Sequence, residues 1–374
     1  DQRAIQDMAR SFTGDMITPH AEKWDEDKVW PTDVAKAAGE LGFGGIYISE
    51  DAGGCGLSRV ESVLIFEQLS MGCPSTAAMI SIHNMATWMI DKFGNDEQRE
   101  RFVGELATLD KMASYCLTEP GAGSDAAGLK TKAVRDGDDY VLNGAKAFIS
   151  GGGTSDVYVV MARTSDDGAR GISCFVVEKC TKGLSFGAQE QKLGWHSQQT
   201  CAVMFDDCRI PASNLVGSEG QGFKIAMMGL DGGRLNIGAC SIGGAQRALD
   251  EAVAYTKDRK QFGKSISDFQ ATQFKLADMA TELEAARLLI YAAADQVSKG
   301  APDAAAAAAM AKRLATDTGF DVTNAALQLH GGYGYLQDYP IERILRDLRV
   351  HQILEGTNEI MRVIVDRHML SENR

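Results

Sequence analysis

The chain lacks a basic excess. Over 374 residues the formal net charge is -13. A nucleic-acid binder needs a positive footprint, so that class is set aside. A phosphorylated ligand stays open, because a few local arginines can hold one. The sequence also lacks a metal ligand set. None of the cysteines Cys55, Cys73, Cys116, Cys174, Cys180, Cys201, Cys208 and Cys240 forms a CxxC pair, and the six histidines do not cluster with them. Zinc and thioredoxin-type chemistry are therefore excluded, and no metal is expected. Scattered through so long a chain, these cysteines read as small core residues of a reducing compartment. No apolar run is long enough to span a bilayer, and no signal peptide is visible, so neither membrane insertion nor secretion is expected. A bacterial cytoplasm and a mitochondrial matrix remain equal. Residue 1 is Asp, which leaves open whether a leader precedes it. There is no GxGxxG opening a helix after a strand, which excludes a nicotinamide-type domain.

What is present is an ordinary globular composition, 44% hydrophobic and 24% charged. The length implies two or three domains. Residues 1 to about 112 follow helical spacing: Ile5, Met8, Ala9, Phe12 and Met16, then Val34, Ala37, Ala38 and Leu41. Residues 42–56 are glycine-rich and read as a loop, with helices again over 60–71 and 75–93. Within the latter, His83 and Asn84 interrupt an apolar run. They are either a hydrogen-bonded core pair or one wall of a ligand pocket. From about 114 to 216 short β-type runs alternate with turns. Residues 140–142, Asn143-Gly144 and 145–150 predict a hairpin, since Asn-Gly suits a type I′ turn. Further strands are expected at 157–162, 171–178 and 200–205, in a compact antiparallel barrel or sandwich. Long helices follow at 222–256, 269–299 and 302–330, and a closing helix at 360–370. The order is α, β, α, with domains at 1–113, 114–216 and 217–374.

Several stretches carry chemistry. At 115–125, Tyr-Cys-Leu-Thr-Glu-Pro-Gly-Ala-Gly-Ser-Asp runs from a strand into a turn of exposed N–H groups and small hydroxyls, suited to a heterocycle's edge or a phosphate. Phe148-Ile149-Ser150 ends a strand with an aromatic and a hydroxyl, able to cover a ring and reach its edge. Arg259, Gln261 and Phe262 lie in a loop between helices, where a guanidinium could clamp a pyrophosphate or simply face solvent. Gln328-Leu329-His330-Gly331-Gly332 ends a helix with more glycine than termination needs. Finally, 349–359 is Arg-Val-His-Gln-Ile-Leu-Glu-Gly-Thr-Asn-Glu. It sets Glu355 behind Ile353 and Leu354. Burial there raises a carboxylate's pKa, whereas the neighbouring helix start lowers it; desolvation by a bound ligand is expected to win. Taken alone, these eleven residues read more simply as a glutamate beside a helix start.

Together and in this order, the stretches at 115–125, 259–263, 328–334 and 355–359 resemble the acyl-CoA dehydrogenases, over essentially the whole chain. Within the family the likeness is greatest to members acting on isobutyryl-CoA, carried by 81–85, 88–91, 146–150, Gly194-Trp195 and Ser197-Gln198. Gln199 departs, where that subgroup tends to have proline. The resemblance implies an N-terminal all-α domain, a middle β-barrel domain and a C-terminal four-helix bundle, in a homotetramer. It implies FAD as cofactor and an electron-transfer flavoprotein as partner. The activity implied is α,β-dehydrogenation of a short, branched acyl-CoA, isobutyryl-CoA to methacrylyl-CoA in valine catabolism. Short straight-chain or 2-methyl-branched thioesters, an oxidase relative and a non-catalytic relative are the alternatives. By resemblance Glu355 takes the α-proton and flavin N5 the β-hydride. Tyr115, Cys116, Leu117, Thr118, Gly123, Ser124, Phe148, Ile149, Ser150, Arg259, Gln261, Phe262, Gln328, Gly331, Gly332, Thr357 and Glu359 would bind the cofactor, several of them across subunits. Ser124, Asp231, Arg234, Gly356 and Arg367 would bind the acyl-CoA. Some members carry the base just before the arginine of the first C-terminal helix; here that position is Gly233.

Overall fold

The computed structural model describes residues 1–371; residues 372–374, the end of the expected third domain, lie outside it. The N-terminal part is helical: α1 (Gln2–Phe12), α2 (Ala21–Asp27), α3 (Thr32–Glu40), α4 (Arg59–Gly72), α5 (Pro74–Phe93), α6 (Asp96–Gln98) and α7 (Gly104–Ala107). A capping box starts α4: the Ser58 hydroxyl accepts from Val60 N–H at 3.1 Å, and Glu61 accepts from Ser58 N–H at 2.9 Å. Pro74 opens α5, where its missing N–H costs nothing.

The middle part holds β1 (Ala113–Cys116), β2 (Lys132–Asp136), β3 (Asp139–Ser150), β4 (Val157–Arg163), β5 (Ile172–Glu178), β6 (Leu184–Phe186), β7 (Thr200–Pro211) and β8 (Leu215–Val216). They form one sheet in the order β6-β7-β3-β2-β4-β5-β8, with β1 parallel to β4. Among the described residues no pairing joins β6 to β8, so the sheet is open, not a closed barrel. The expected hairpin at Asn143-Gly144 is also absent. β3 runs straight through it, because β7 is long enough to pair on both sides. The dipeptide instead makes a bulge: the register shifts between Leu142 and Gly144, and Asn143 exchanges hydrogen bonds with Asp207 at 3.1 and 2.9 Å. The turn before β3 is at Gly137, where φ is +63°, and joins β2 to β3.

The C-terminal part is α8 (Gly222–Asp258), a two-stranded ribbon β9 (Lys260–Gln261) and β10 (Lys264–Ser265), then α9 (Gln270–Ser298), α10 (Ala304–His330), α11 (Ile341–Arg349) and α12 (Asn358–Ser371). No described helix is long and apolar enough to cross a membrane. The helical ends of the chain share one core: Phe43, Phe66 and Leu69 pack with Leu235, Ile242, Leu283 and Ile290. The approach is close, since a Cβ on Gly243 of α8 would lie 2.0 Å from the Glu67 carbonyl of α4. Met85 and Ile90 of α5, Val159 and Cys174 of the sheet and Leu230 of α8 form a second core. Thus α8 is common to both, and the site is built along it. All eight cysteines are free, six of them buried.

His83 and Asn84 are the core pair. His83 donates to the Leu106 carbonyl at 2.8 Å and accepts from Ala113 N–H at 2.9 Å; burial pushes its pKa down to about 4, so it is neutral. Asn84 accepts from Ile46 N–H at 3.0 Å and donates to Phe43 and Ile80 carbonyls at 2.8 and 3.0 Å.

Candidate active site

The link between α11 and α12 turns sharply, and Glu355 (φ +54°) and Gly356 (φ +88°) are both left-handed. Glycine tolerates this; a glutamate there is strained by on the order of 1–2 kcal/mol. Two buried cations hold the turn. Arg234 Nε on α8 donates to the Glu355 carbonyl at 3.2 Å, and Lys312 Nζ on α10 donates to the Gly356 carbonyl at 2.8 Å and Asn358 Oδ1 at 2.9 Å. Asn358 and Gln352 in turn donate to Asp317 at 2.7 and 2.8 Å. Asp231 ties Arg234 down at 2.7 Å.

The backbone is gripped, yet the carboxylate is not. Among the described residues both Glu355 oxygens are buried without a hydrogen-bond partner, although the residue as a whole is half-buried. The space in front of them exists because residue 233 is glycine: a Cβ there would fall 2.5 Å from Oε2 and 2.9 Å from Met85 Sδ. Burial pushes the Glu355 pKa up to about 7, with Arg234 and Lys312 acting against the rise. Among the described residues, the Glu355 N–H has no hydrogen-bond partner either. The arrangement is a carboxylate poised near neutrality, beside a free backbone donor, facing a narrow space under Met85. It can take a proton from a weakly acidic carbon whose neighbouring carbonyl oxygen reaches the N–H.

Strand β1 brings Tyr115 to the same place. Its hydroxyl is buried without a partner, and its pKa is raised by desolvation and by Cys174 and the Glu355 charge. Beyond it the chain turns on Glu119, whose carboxylate accepts from Lys130 and Thr131 N–H at 2.6 and 2.9 Å and from Lys146 Nζ at 2.7 Å. Ala147 N–H donates to the Thr118 carbonyl at 2.9 Å, which sets Thr118 beside the residue before Phe148, while the Ser150 carbonyl accepts from the Ser114 hydroxyl at 2.6 Å. Phe148 has φ +58° and is 67% exposed, an aromatic face held out from a strand end. Strand alternation buries Cys116, Leu117 and Ile149 in the cores, so only their backbone can meet a ligand. Gly123 and Ser124 are exposed.

A separate groove of about 480 Å³ lies at the end of α10, lined by Arg259, Gln261, Gln328, Gly331 and Gly332, with the Arg259 guanidinium 5.4 Å from the Tyr333 ring centre. Phe262 stands 94% exposed beside it. Among the described residues no hydrogen bond, ion pair or ring contact joins this group to Thr118, Phe148 and Ser150. Thr357 caps α12, its hydroxyl accepting from Ile360 N–H at 3.3 Å, while Glu359 and Arg367 are exposed on that helix. The chain thus unites Glu355, Gly356, Asp231, Arg234 and Tyr115, and leaves the α10 group and Arg367 apart. Sequence reasoning missed Lys312, for which a lysine within 304–315, an otherwise mostly alanine stretch, was the signal. Met85 lies in the apolar run read as a possible pocket wall, and its sulfur borders the space beside Gly233 and Glu355.

Family models for the acyl-CoA dehydrogenase N-terminal, middle and C-terminal domains match residues 1–110, 114–208 and 220–370. The chain is 56% identical over 374 residues to the mitochondrial isobutyryl-CoA dehydrogenase of Dictyostelium discoideum, covering 100% of this chain and 90% of that protein. It is 54% identical to the mitochondrial isobutyryl-CoA dehydrogenase of Bos taurus, covering 100% and 89%. Among solved structures, butyryl-CoA dehydrogenase from Megasphaera elsdenii is similar at a TM-score of 0.96, with 39% identity over 99% of this chain and 98% of that one.

Proposed function

The chain belongs to the acyl-CoA dehydrogenase family, and on that premise we propose that it oxidises isobutyryl-CoA to methacrylyl-CoA, with Glu355 as the base and FAD as cofactor. The single observation that carries this is the Glu355 carboxylate, buried with no partner in front of Gly233. A base already paired could not take a proton; one in bulk water would be too weak.

The residues fit a flavin. An aromatic face at Phe148, a buried unpartnered hydroxyl at Tyr115 and a glycine-lined groove with Arg259 offer stacking, a ring-edge donor and an anion clamp. Thr118, Ser150 and the backbone of Cys116, Leu117 and Ile149 would line the ring, Gly123 and Ser124 its rim. Arg259, Gln261, Phe262, Gln328, Gly331 and Gly332 would hold the remainder from a second copy, since within one chain they stand apart; Thr357 and Glu359 complete the set. When bound, FAD supplies the acceptor for the β-hydrogen, taken as hydride. The chain does the rest. Glu355 Oε accepts the α-proton. The Glu355 N–H donates to the thioester oxygen as negative charge gathers there. Arg234 and Asp231 fix the loop, Gly356 allows thioester approach, and Ser124 and Arg367 would meet the CoA portion. Met85 shallows the space above Gly233, which favours a short acyl group. Because one methylene is worth only about 1–3 kcal/mol of discrimination, butyryl-CoA and 2-methylbutyryl-CoA should be slower substrates, not inert ones.

This reading divides the chain at 113/114 and 216/217, includes a homotetramer, and passes electrons to an electron-transfer flavoprotein in a bacterial cytoplasm or mitochondrial matrix. The test is anaerobic addition of isobutyryl-CoA to purified protein: the yellow flavin spectrum should bleach. Glu355→Gln should keep flavin and thioester binding yet fail to bleach. Near-normal bleaching by that variant would show that another base works, and a protein that refuses FAD would end the reading.

A further inference from the structure

Glu355 is flanked by two cations that bond its backbone, not its carboxylate. Arg234 takes the carbonyl of residue 355 from α8, and Lys312 takes that of residue 356 from α10. Lys312 is the less expected of the two. Its side chain is wholly buried, and among the described residues its ammonium hydrogen-bonds to Gly356 O and Asn358 Oδ1, neither a charged group, with the Glu355 and Asp317 carboxylates acting on it through space. A buried ammonium spent on two neutral acceptors is poorly compensated and needs a reason. The turn it holds is the strained one, residues 355 and 356 both having φ above +50°.

Building on the function proposed above, we propose that Lys312 is the positioning residue of the base. Its ammonium locks the Glu355–Gly356 turn from beneath, keeping the carboxylate aimed past Gly233 and unpartnered. Placed under the carbonyl instead of beside the carboxylate, the charge favours the anionic base without occupying the lone pairs that must take the proton. Other charged groups around this pair are Arg59 on α4, Arg234 and Asp231 on α8, Asp317 on α10, and Glu359 and Arg362 on α12; Tyr47, Tyr115, Cys240 and His351 face it as neutral groups. Burial lowers the Lys312 pKa to about 8, so it is still charged at neutral pH. Of the groups around Glu355, Arg234 and Lys312 are the two that oppose the rise of its pKa.

Loss of the ammonium therefore moves the base toward its protonated form. The test uses the flavin-loaded full chain, with kcat and KM for isobutyryl-CoA measured from pH 5.5 to 9. Lys312→Met should lower kcat by about 10–100-fold with little change in KM, as a misaimed reacting group does. Its acidic limb should move to higher pH by on the order of one unit. Lys312→Gln keeps a donor for the Gly356 carbonyl and removes only the charge; its limb should move likewise with a smaller loss of kcat. Lys312→Arg should keep the wild-type limb. An acidic limb that stays put in both neutral variants, or a rate loss matched by lost flavin, overturns the proposal. A wild type that isobutyryl-CoA fails to bleach would instead remove the function on which it rests.

Discussion

A desolvated base should make the folded protein less stable as pH rises, and Glu355→Gln should remove that penalty. The Glu355 pKa is raised from an ordinary 4.5 to about 7 by burial. Between those values the folded state holds a proton that the unfolded chain has released. Stability from this group is thus fully present below pH 4.5 and declines as pH climbs to 7. Each pH unit of displacement corresponds to roughly 1.4 kcal/mol, so the cost by pH 8 is about 3 kcal/mol. That figure is an upper bound, since the residue is only half-buried and solvent screens part of the penalty. Glutamine cannot ionise, has almost the same shape and would sit in the same space before Gly233. Glu355→Gln should therefore raise the melting temperature by several degrees at pH 8 and change it little at pH 5. The assay is differential scanning calorimetry of both proteins at the two pH values, with equal flavin loading. An equal shift at pH 5 and pH 8 would refute the reasoning, for it would mean the carboxyl carries no ionisation penalty and is not a tuned base.

Other perturbations follow from the same geometry. Gly233→Ala puts a methyl 2.5 Å from Glu355 Oε2 and 2.9 Å from Met85 Sδ, so the loop or α5 must shift; kcat/KM should fall at least tenfold with about 1–3 kcal/mol of stability lost, read by steady-state kinetics and urea melts. Lys146→Met leaves the Glu119 carboxylate buried without its 2.7 Å partner and should cost about 3–5 kcal/mol by denaturant unfolding, part of it recovered by adding Glu119→Gln. Asn84→Ala strands two buried backbone groups, the Ile46 N–H and the Phe43 carbonyl, and should cost about 2–3 kcal/mol with kcat unchanged. Arg259→Ala should weaken flavin retention about tenfold on dilution while leaving the melting curve of the flavin-free protein in place.

Much of the helical frame was legible because its signals are local. Pro74 at the head of α5 and the glycines after His330 each mark an element end within a few residues. The β region was harder because pairing is not local. Asn143-Gly144 carries the chemistry of a hairpin turn, yet β7, some sixty residues on, pairs across it and turns it into a bulge. No window around residue 143 contains that fact. In the site, Glu355 was singled out by the family resemblance, since its own neighbours read more simply as a glutamate beside a helix start, and Gly233 came from the same likeness. Lys312 was not found, because its meaning lies in a carbonyl 44 positions further along. His83 and Asn84 were ambiguous until their partners Leu106, Ala113, Ile46 and Phe43 were known.

The site also explains why the two helical ends of the chain share a core. A carboxylate kept out of water, on a turn that disfavours side chains, is unfavourable on both counts. It persists only if the surroundings over-determine its position. Here α8 supplies Arg234 and Gly233, α10 supplies Lys312, Thr316 and Asp317, and α5 supplies Met85. Those three helices are also the ones that the large apolar clusters bind to α4 and to the sheet. Loosening any one of them would let the turn relax toward an ordinary backbone and let water reach the carboxyl, which would drop its pKa and weaken it as a base. Packing remote from the carboxylate is thus part of what makes it basic.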